Sequence, residues 1–311
     1  MLPRFDFPGS AVHLGTMDTQ PEPIDRRRLT LTGADGNALC ADFYAPRHAT
    51  EGLVVLAHGG GQTRHSWGGT ARTLAARGWN AVAYDQRGHG DSAWVADAAY
   101  DSEHYAHDLV AVVRQLADRG YGKPVVVGAS LGGMAGLLAA GELDRSALRA
   151  LVLVDITPGM KPEGRDRVLG FMAAHAEEGF ASPAEAADAI SAYLPHRPRP
   201  RSLSGLTKNL RRGDDGRFRW HWDPRFLDAR RTAGQHAELD ERLESAARRL
   251  TIPVLLVRGR ESELVGEAEA EAFRKLVPHA EVADVSGARH MVAGDRNDVF
   301  GDAVAAFLAR L

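Results

Sequence analysis

Polar and apolar positions first alternate along this chain. Residues 28–32 (RLTLT) repeat at a period of two, residues 33–37 (GADGN) supply a turn, and residues 38–46 (ALCADFYAP) resume the strand pattern. That arrangement predicts an antiparallel hairpin. The pattern then changes to short unbroken apolar runs at 52–57 (GLVVLA), 79–84 (WNAVAY), 125–127 (VVV) and 148–156 (LRALVLVDI). Runs of this length without a polar face mark strands buried on both sides. Helical stretches separate them. Residues 70–77 end at Gly78, and residues 102–119 begin with Ser102 as N-cap and Glu103 in the first turn. Strand and helix therefore alternate from about 52 to 156, the signature of a parallel sheet covered by helices on both faces.

The rhythm changes after Ile156. Between 157 and 249 no buried strand is expected. FMAAHAEEG, PAEAADAISAYL, LTKNLRR and RRTAGQHAELDERLESAARRL read as helices, interrupted by Pro195, Pro198 and Pro200 and by the GDDG run at 213–216. The sheet pattern resumes at 252–257 (IPVLLV). A helix follows at 267–276, a last short strand at 281–285 and an amphipathic helix at 297–311. The expected fold is α/β, a mostly parallel central sheet with helices on both faces plus a helical cap insertion. Residues 1–25, with four prolines and no periodicity, read as an extended arm. Residues 26–156 and 250–311 make the core domain, and 157–249 the cap. An insertion rooted at the carboxyl ends of sheet strands sits over the mouth where ligands bind.

Composition narrows the function classes. The chain has 311 residues, 44% hydrophobic and 25% charged, enough for a sizeable core. A net charge of -3 gives no basic field for nucleic acid. The single cysteine, Cys40, excludes an internal disulfide framework and a Cys-rich metal site. No apolar run approaches the length of a membrane span. The first residues lack the basic start and apolar core of a signal peptide, so a cytoplasmic location is expected. His104 and His107 form an H-x-x-H pair without a carboxylate at metal-site spacing and read as surface or packing residues. No metal and no cofactor are expected. The expected partner is a small-molecule substrate, with neither nucleic acid nor membrane.

The chemistry centres on residues 128–132, Gly-Ala-Ser-Leu-Gly. They lie between the apolar strand at 125–127 and the run LGGMAGLLAAGEL, so this G-x-S-x-G has the strand–turn–helix context of a nucleophile elbow. The turn lifts the Ser130 hydroxyl above the sheet edge and leaves the Leu131 amide at a helix N-terminus, where it can donate to an oxyanion. Residues 58–61 (HGGG) leave the strand at 52–57 as a glycine-rich loop. Its bare amides, of Gly60 or Gly61, suit the second half of an oxyanion hole. The loop lacks the Lys-Ser/Thr pair of a phosphate-binding P-loop. Asp85, Arg87, His89 and Asp91 in DQRGHGDS read as a salt-bridged structural turn. In the cap, Phe218-Arg219-Trp220-His221-Trp222 offers Trp220, His221 and Trp222 as pocket lining, or else as the apolar centre of the insertion itself.

Ser130, Glu263 and His290 all follow sheet strands and so emerge at one edge. Together with HGGG at 58–61, DQRGHGDS at 85–92, GASLGG at 128–133, the acid-bearing loop at 259–263 and GARHM at 287–291, they give a chain that resembles the α/β-hydrolase fold family, in its cap-bearing branch, over roughly residues 26–311. The resemblance implies a Ser130–His290–acid triad and an acyl-enzyme. Glu263 is the expected acid, with Asp155 as the rival and Glu261 a third choice; relatives most often carry Asp at the loop position. A serine nucleophile disfavours dehalogenation and epoxide opening, which use Asp. It leaves ester, thioester, lactone or amide hydrolysis, hydrolytic C–C cleavage and perhydrolysis. Cap arginines (Arg197, Arg201, Arg211, Arg212) would meet a carboxylate in the C–C reading. A receptor or scaffold on the same fold is the non-enzyme alternative, disfavoured by a complete set of Ser, His and acid.

Overall fold

A computed structural model describes residues 5–6, 24–48, 50–197, 203–228, 233–295 and 297–311. The first strand, β1, is only Phe5–Asp6; β2 (Asp25–Thr32) and β3 (Ala38–Ala45) form the expected hairpin, turned by residues 33–37. Next come β4 (Gly52–Ala57), α1 (Gly68–Ala76), β5 (Trp79–Tyr84), α2 (Ser102–Leu116), β6 (Val125–Ala129), α3 (Leu131–Leu138) and β7 (Ala150–Val154). The insertion carries α4 (Pro162–Ala174), α5 (Pro183–Tyr193), a small antiparallel pair β8 (Leu210–Arg212) and β9 (Phe218–Trp220), and α6 (Ala233–Arg248). The chain closes with β10 (Val254–Gly259), α7 (Glu267–Leu276), β11 (Glu281–Val285), α8 (Val292–Asp295) and α9 (Asn297–Leu308).

The main sheet has nine strands in the order β1-β11-β10-β7-β6-β4-β5-β3-β2. It is parallel from β1 to β5, and the β2–β3 hairpin joins antiparallel to β5. Side chains along a strand point alternately to its two faces, so each apolar run supplies two cores. Leu53 and Val55 of β4 join α2, α3, α6 and α7 in one apolar cluster. Val54 and Leu56, between them, join α1 and α9 in the other, where Leu74, Phe300 and Phe307 pack.

Four features depart from the expectations. Helix α6, expected in the cap, packs on α3, and its Leu243, Ala246 and Ala247 lie in the same apolar cluster as the sheet. It is the crossover helix between β7 and β10, so the part of the insertion that leaves the core ends before residue 233. LTKNLRR is not a helix: a single turn (Leu206–Asn209) leads into β8. The N-cap of α2 is Asp101, whose carboxylate accepts from the Glu103 and His104 amides, rather than Ser102. Finally, Phe5–Asp6 pairs in parallel with β11; the rest of the 1–25 arm up to residue 23 lies outside the described residues.

Candidate active site

Ser130 stands at the end of β6, the strand between β4 and β7 in the sheet. Its backbone is held at φ 46 and ψ -111, a left-handed conformation that a non-glycine residue adopts at a cost of the order of 1–3 kcal/mol. The neighbours explain how the turn is held. A Cβ on Gly128 would lie 2.4 Å from the Gly132 carbonyl oxygen, and one on Gly132 would lie 2.4 Å from that of Ala57. Strand, turn and helix therefore meet at backbone distance, which only glycine permits. The Gly132 amide donates to the His58 carbonyl at 3.2 Å, tying the elbow to the loop after β4.

His290 lies in the loop after β11 and, like Ser130, lines a large cavity that residues of the 157–249 insertion help to wall. The carboxylate that meets it is Asp155, directly after β7: Oδ2 is 2.9 Å from His290 Nδ1. Asp155 also accepts from Ser262 Oγ (2.5 Å) and the Gly259 amide (3.2 Å), and it is fully buried. Burial raises its pKa, and the His290, Ser262 and Gly259 contacts pull the other way. The expectation that Glu263 would be His290's acid is thereby corrected. In the 259–263 loop it is Ser262, one residue earlier, whose side chain turns to this cluster, while Glu263 lines the cavity with Oε2 buried and without a hydrogen bond. Glu261 is exposed. Sheet order explains the choice: β7 lies between β6 and β10, so a residue ending β7 sits between the serine's strand and the 259–263 loop. Asp155 also has a positive φ of 52, a second strained position at this edge.

The three residues expected to supply oxyanion amides, Leu131, Gly60 and Gly61, all line the cavity. Leu131 is the first residue of α3, so its amide has no acceptor within the helix. Gly60 lines the cavity beside it. Gly61 is excluded, because its amide donates to His89 Nε2 at 3.1 Å.

The cavity has a volume of about 390 Å³, within the usual range for small-molecule sites. Trp220 and Trp222 line it, together with Phe171, Met172, Leu194 and Phe226 among other apolar side chains. His221 does not. Its ring is turned into the core, where Nδ1 accepts from the Gly90 amide at 2.7 Å. Of the four cap arginines, Arg197 lines the cavity, with one nitrogen 3.3 Å from the Met291 carbonyl. Arg211 instead bonds the Gly90 carbonyl and lies over the Trp94 ring, 5.1 Å from its centroid. Arg212 is exposed, and Arg201 lies outside the described residues.

The DQRGHGDS turn is salt-bridged as expected. Arg64 bridges Asp85 and Asp42, with Asp91 at 2.8 Å, and Arg87 holds Asp108 (2.7 Å) and Asp35 (2.8 Å). Cys40, Asp85 and Asp91 come within metal-binding reach of one another, but the Arg64 guanidinium already occupies both carboxylates. His104 and His107 pair with Asp101 (2.9 Å) and Glu103 (3.6 Å) on the surface of α2. Among the described residues no helix is long and apolar enough to cross a membrane.

Known proteins share this fold. The family model described as alpha/beta hydrolase fold matches residues 52–296. Esterase Rv0045c of Mycobacterium tuberculosis is 33% identical over 251 residues, covering 78% of each chain. The 2-(acetamidomethylene)succinate hydrolase of Mesorhizobium japonicum is 32% identical over 220 residues, 68% of this chain and 72% of that one. A crystal structure of an E-2-(acetamidomethylene)succinate hydrolase superposes with a TM-score of 0.76 at 25% identity, over 92% of this chain and all of that one. From the strained serine turn to the helices on both sheet faces, the architecture and the matched sequence agree, and the chain belongs to the α/β-hydrolase fold family.

Proposed function

We propose that this chain is a serine hydrolase of small carboxylic esters or lactones whose acyl or alcohol part is largely apolar. The observation that carries this reading is the cluster at one sheet edge: Ser130 on its strained turn, His290 in the same cavity, and Asp155 at 2.9 Å from His290 Nδ1. A carbonyl backbone oxygen or carboxylate at Nδ1 fixes the imidazole tautomer with its lone pair on Nε2. His290 Nε2 then takes the Ser130 proton as Oγ attacks the substrate carbonyl, and Asp155 stabilises the imidazolium that forms. The Leu131 and Gly60 amides donate to the tetrahedral oxyanion. His290 returns the proton to the leaving alcohol, and a water it activates releases the acid from the acyl-enzyme. The apolar lining, with Trp220 and Trp222, supports the preference for apolar groups. The relatives named as an esterase and a hydrolase support the reaction class.

Intact mass after exposure to a small fluorophosphonate tests the reading. One adduct is expected on the wild type and none on Ser130→Ala, with turnover of p-nitrophenyl butyrate lost in the same variant. An unlabelled, folded wild type that also leaves this ester intact would point to a binding role instead.

A further inference from the structure

Behind the glycine loop lie three buried histidines that the chemistry above does not use: His58, His89 and His221. The loop itself is a tight turn. The Gln62 amide donates to the Gly59 carbonyl at 3.1 Å, and Gly61 has φ 73, as the third position of a type II turn requires. The two common turn types differ by a flip of the central peptide, here Gly60–Gly61. Glycine on both sides leaves that flip without a side-chain barrier. Something other than local sterics must hold that peptide in one orientation, and with it the turn that carries Gly60.

His89 meets that need. Its Nδ1 is 2.9 Å from the Arg87 carbonyl, which can only accept, so Nδ1 carries the proton and the lone pair is on Nε2. That lone pair receives the Gly61 amide at 3.1 Å. The imidazole is fixed in turn by its surroundings: Phe226 packs edge-on at 5.0 Å and the His58 ring lies at 5.2 Å. His58 makes the reverse tie. Its Nδ1 donates to the Gly59 carbonyl (2.8 Å) and its Nε2 accepts from the Gln86 amide (3.0 Å). Burial pushes the His89 pKa down to about 3, so the ring stays an acceptor through the neutral range.

We propose, on the hydrolase reading above, that His89 is a positioning residue: its neutral Nε2 holds the Gly61 amide and so fixes the Gly59–Gln62 turn, whose second residue, Gly60, offers its own amide to the oxyanion. His221 and Asp223 extend the same device to the cap. His221 accepts from the Gly90 amide and the Asp223 amide donates to the Gly88 carbonyl (2.8 Å), so the inserted segment grips the turn that carries His89.

Two substitutions separate positioning from bulk structure. In His89→Gln the terminal amide overlies Nε2 and can still accept from Gly61. In His89→Asn the amide overlies Nδ1, keeps the Arg87 contact and does not reach Gly61. Kinetics on p-nitrophenyl butyrate and inhibition by butylboronic acid, a tetrahedral mimic, would be compared at equal folded fraction. The expected result for Asn is a kcat lower by about 10–100-fold with KM within about twofold, and boronate affinity lower by a similar factor. Gln should recover to within about fivefold of wild type. Equal losses in both variants, or an Asn variant with kcat and boronate affinity unchanged, would overturn the assignment. Failure of the hydrolase reading would appear separately, as a wild type whose turnover Ser130→Ala does not abolish.

Discussion

Asp155 carries more contacts than a structural aspartate needs: Ser262, the Gly259 amide and His290 all reach one buried carboxylate. An asparagine there would keep the shape but remove the charge that selects the His290 tautomer. Asp155→Asn should therefore lower kcat on an activated ester by roughly 10³–10⁴-fold, the scale of tautomer loss in a triad. Glu263→Gln, which leaves the His290 contact untouched, should change kcat by less than about threefold. Steady-state kinetics of both, with circular dichroism to confirm folding, decides between the two carboxylates. A large loss in Glu263→Gln with an active Asp155→Asn would restore the loop glutamate as the acid. Ser130 and His290 were legible as candidates because their motifs are local. The acid was not, because its partner choice depends on which strand ends lie side by side, and sheet order is not written in the spacing.

At the scale of elements, the elbow works because β4, β6 and α3 approach at backbone distance. A methyl group on Gly132 would meet the Ala57 carbonyl 2.4 Å away, on a strand in the middle of the sheet that cannot yield. Gly132→Ala should cost on the order of 3 kcal/mol and displace Ser130, so chemical denaturation and ester turnover should both fall sharply. A variant with wild-type stability and turnover would show that the elbow is looser than these distances imply. The same scale shows what patterning reveals. β4, β5, β6, β7 and β10 were visible because burial on both faces leaves unbroken apolar runs. β8 and β9, of three residues each, are too short to establish a period. Helix α6 shows amphipathic helical character in either location, so its pattern could not tell the sheet face from the cap. Trp220 and Trp222 line the cavity and His221 does not, for the ordinary reason that successive residues of an extended segment face opposite ways.

For the molecule as a whole, the three buried histidines set a liability in acid. Burial is the leading cause that lowers His58 to about 4, His89 to about 3 and His221 to about 2. An unfolded histidine titrates near 6.5. Above that value neither state binds the proton and the three contribute nothing to pH dependence. Below it the unfolded chain takes up protons that the native state refuses, so stability falls as pH falls from 6.5 towards the native values. At pH 5.5 each group costs about 1.4 kcal/mol, and the three together cost about 4 kcal/mol, a large share of a typical domain's 5–15 kcal/mol. Asp155 and Asp85 act with the opposite sign: burial raises both above the unfolded value of 3.8, so the native state takes up these protons first and gains stability as pH falls from the raised values to 3.8. Urea unfolding at pH 7.5 and 5.5 should therefore show a loss of about 4 kcal/mol in the wild type. In His221→Asn, where the side-chain carbonyl can still accept the Gly90 amide, the loss should shrink by about a third. Equal stability at the two pH values, or an unchanged slope in His221→Asn, would mean that these histidines bind protons in the native state. In that event the neutral acceptor on His89 that holds the oxyanion loop would be lost in the same range.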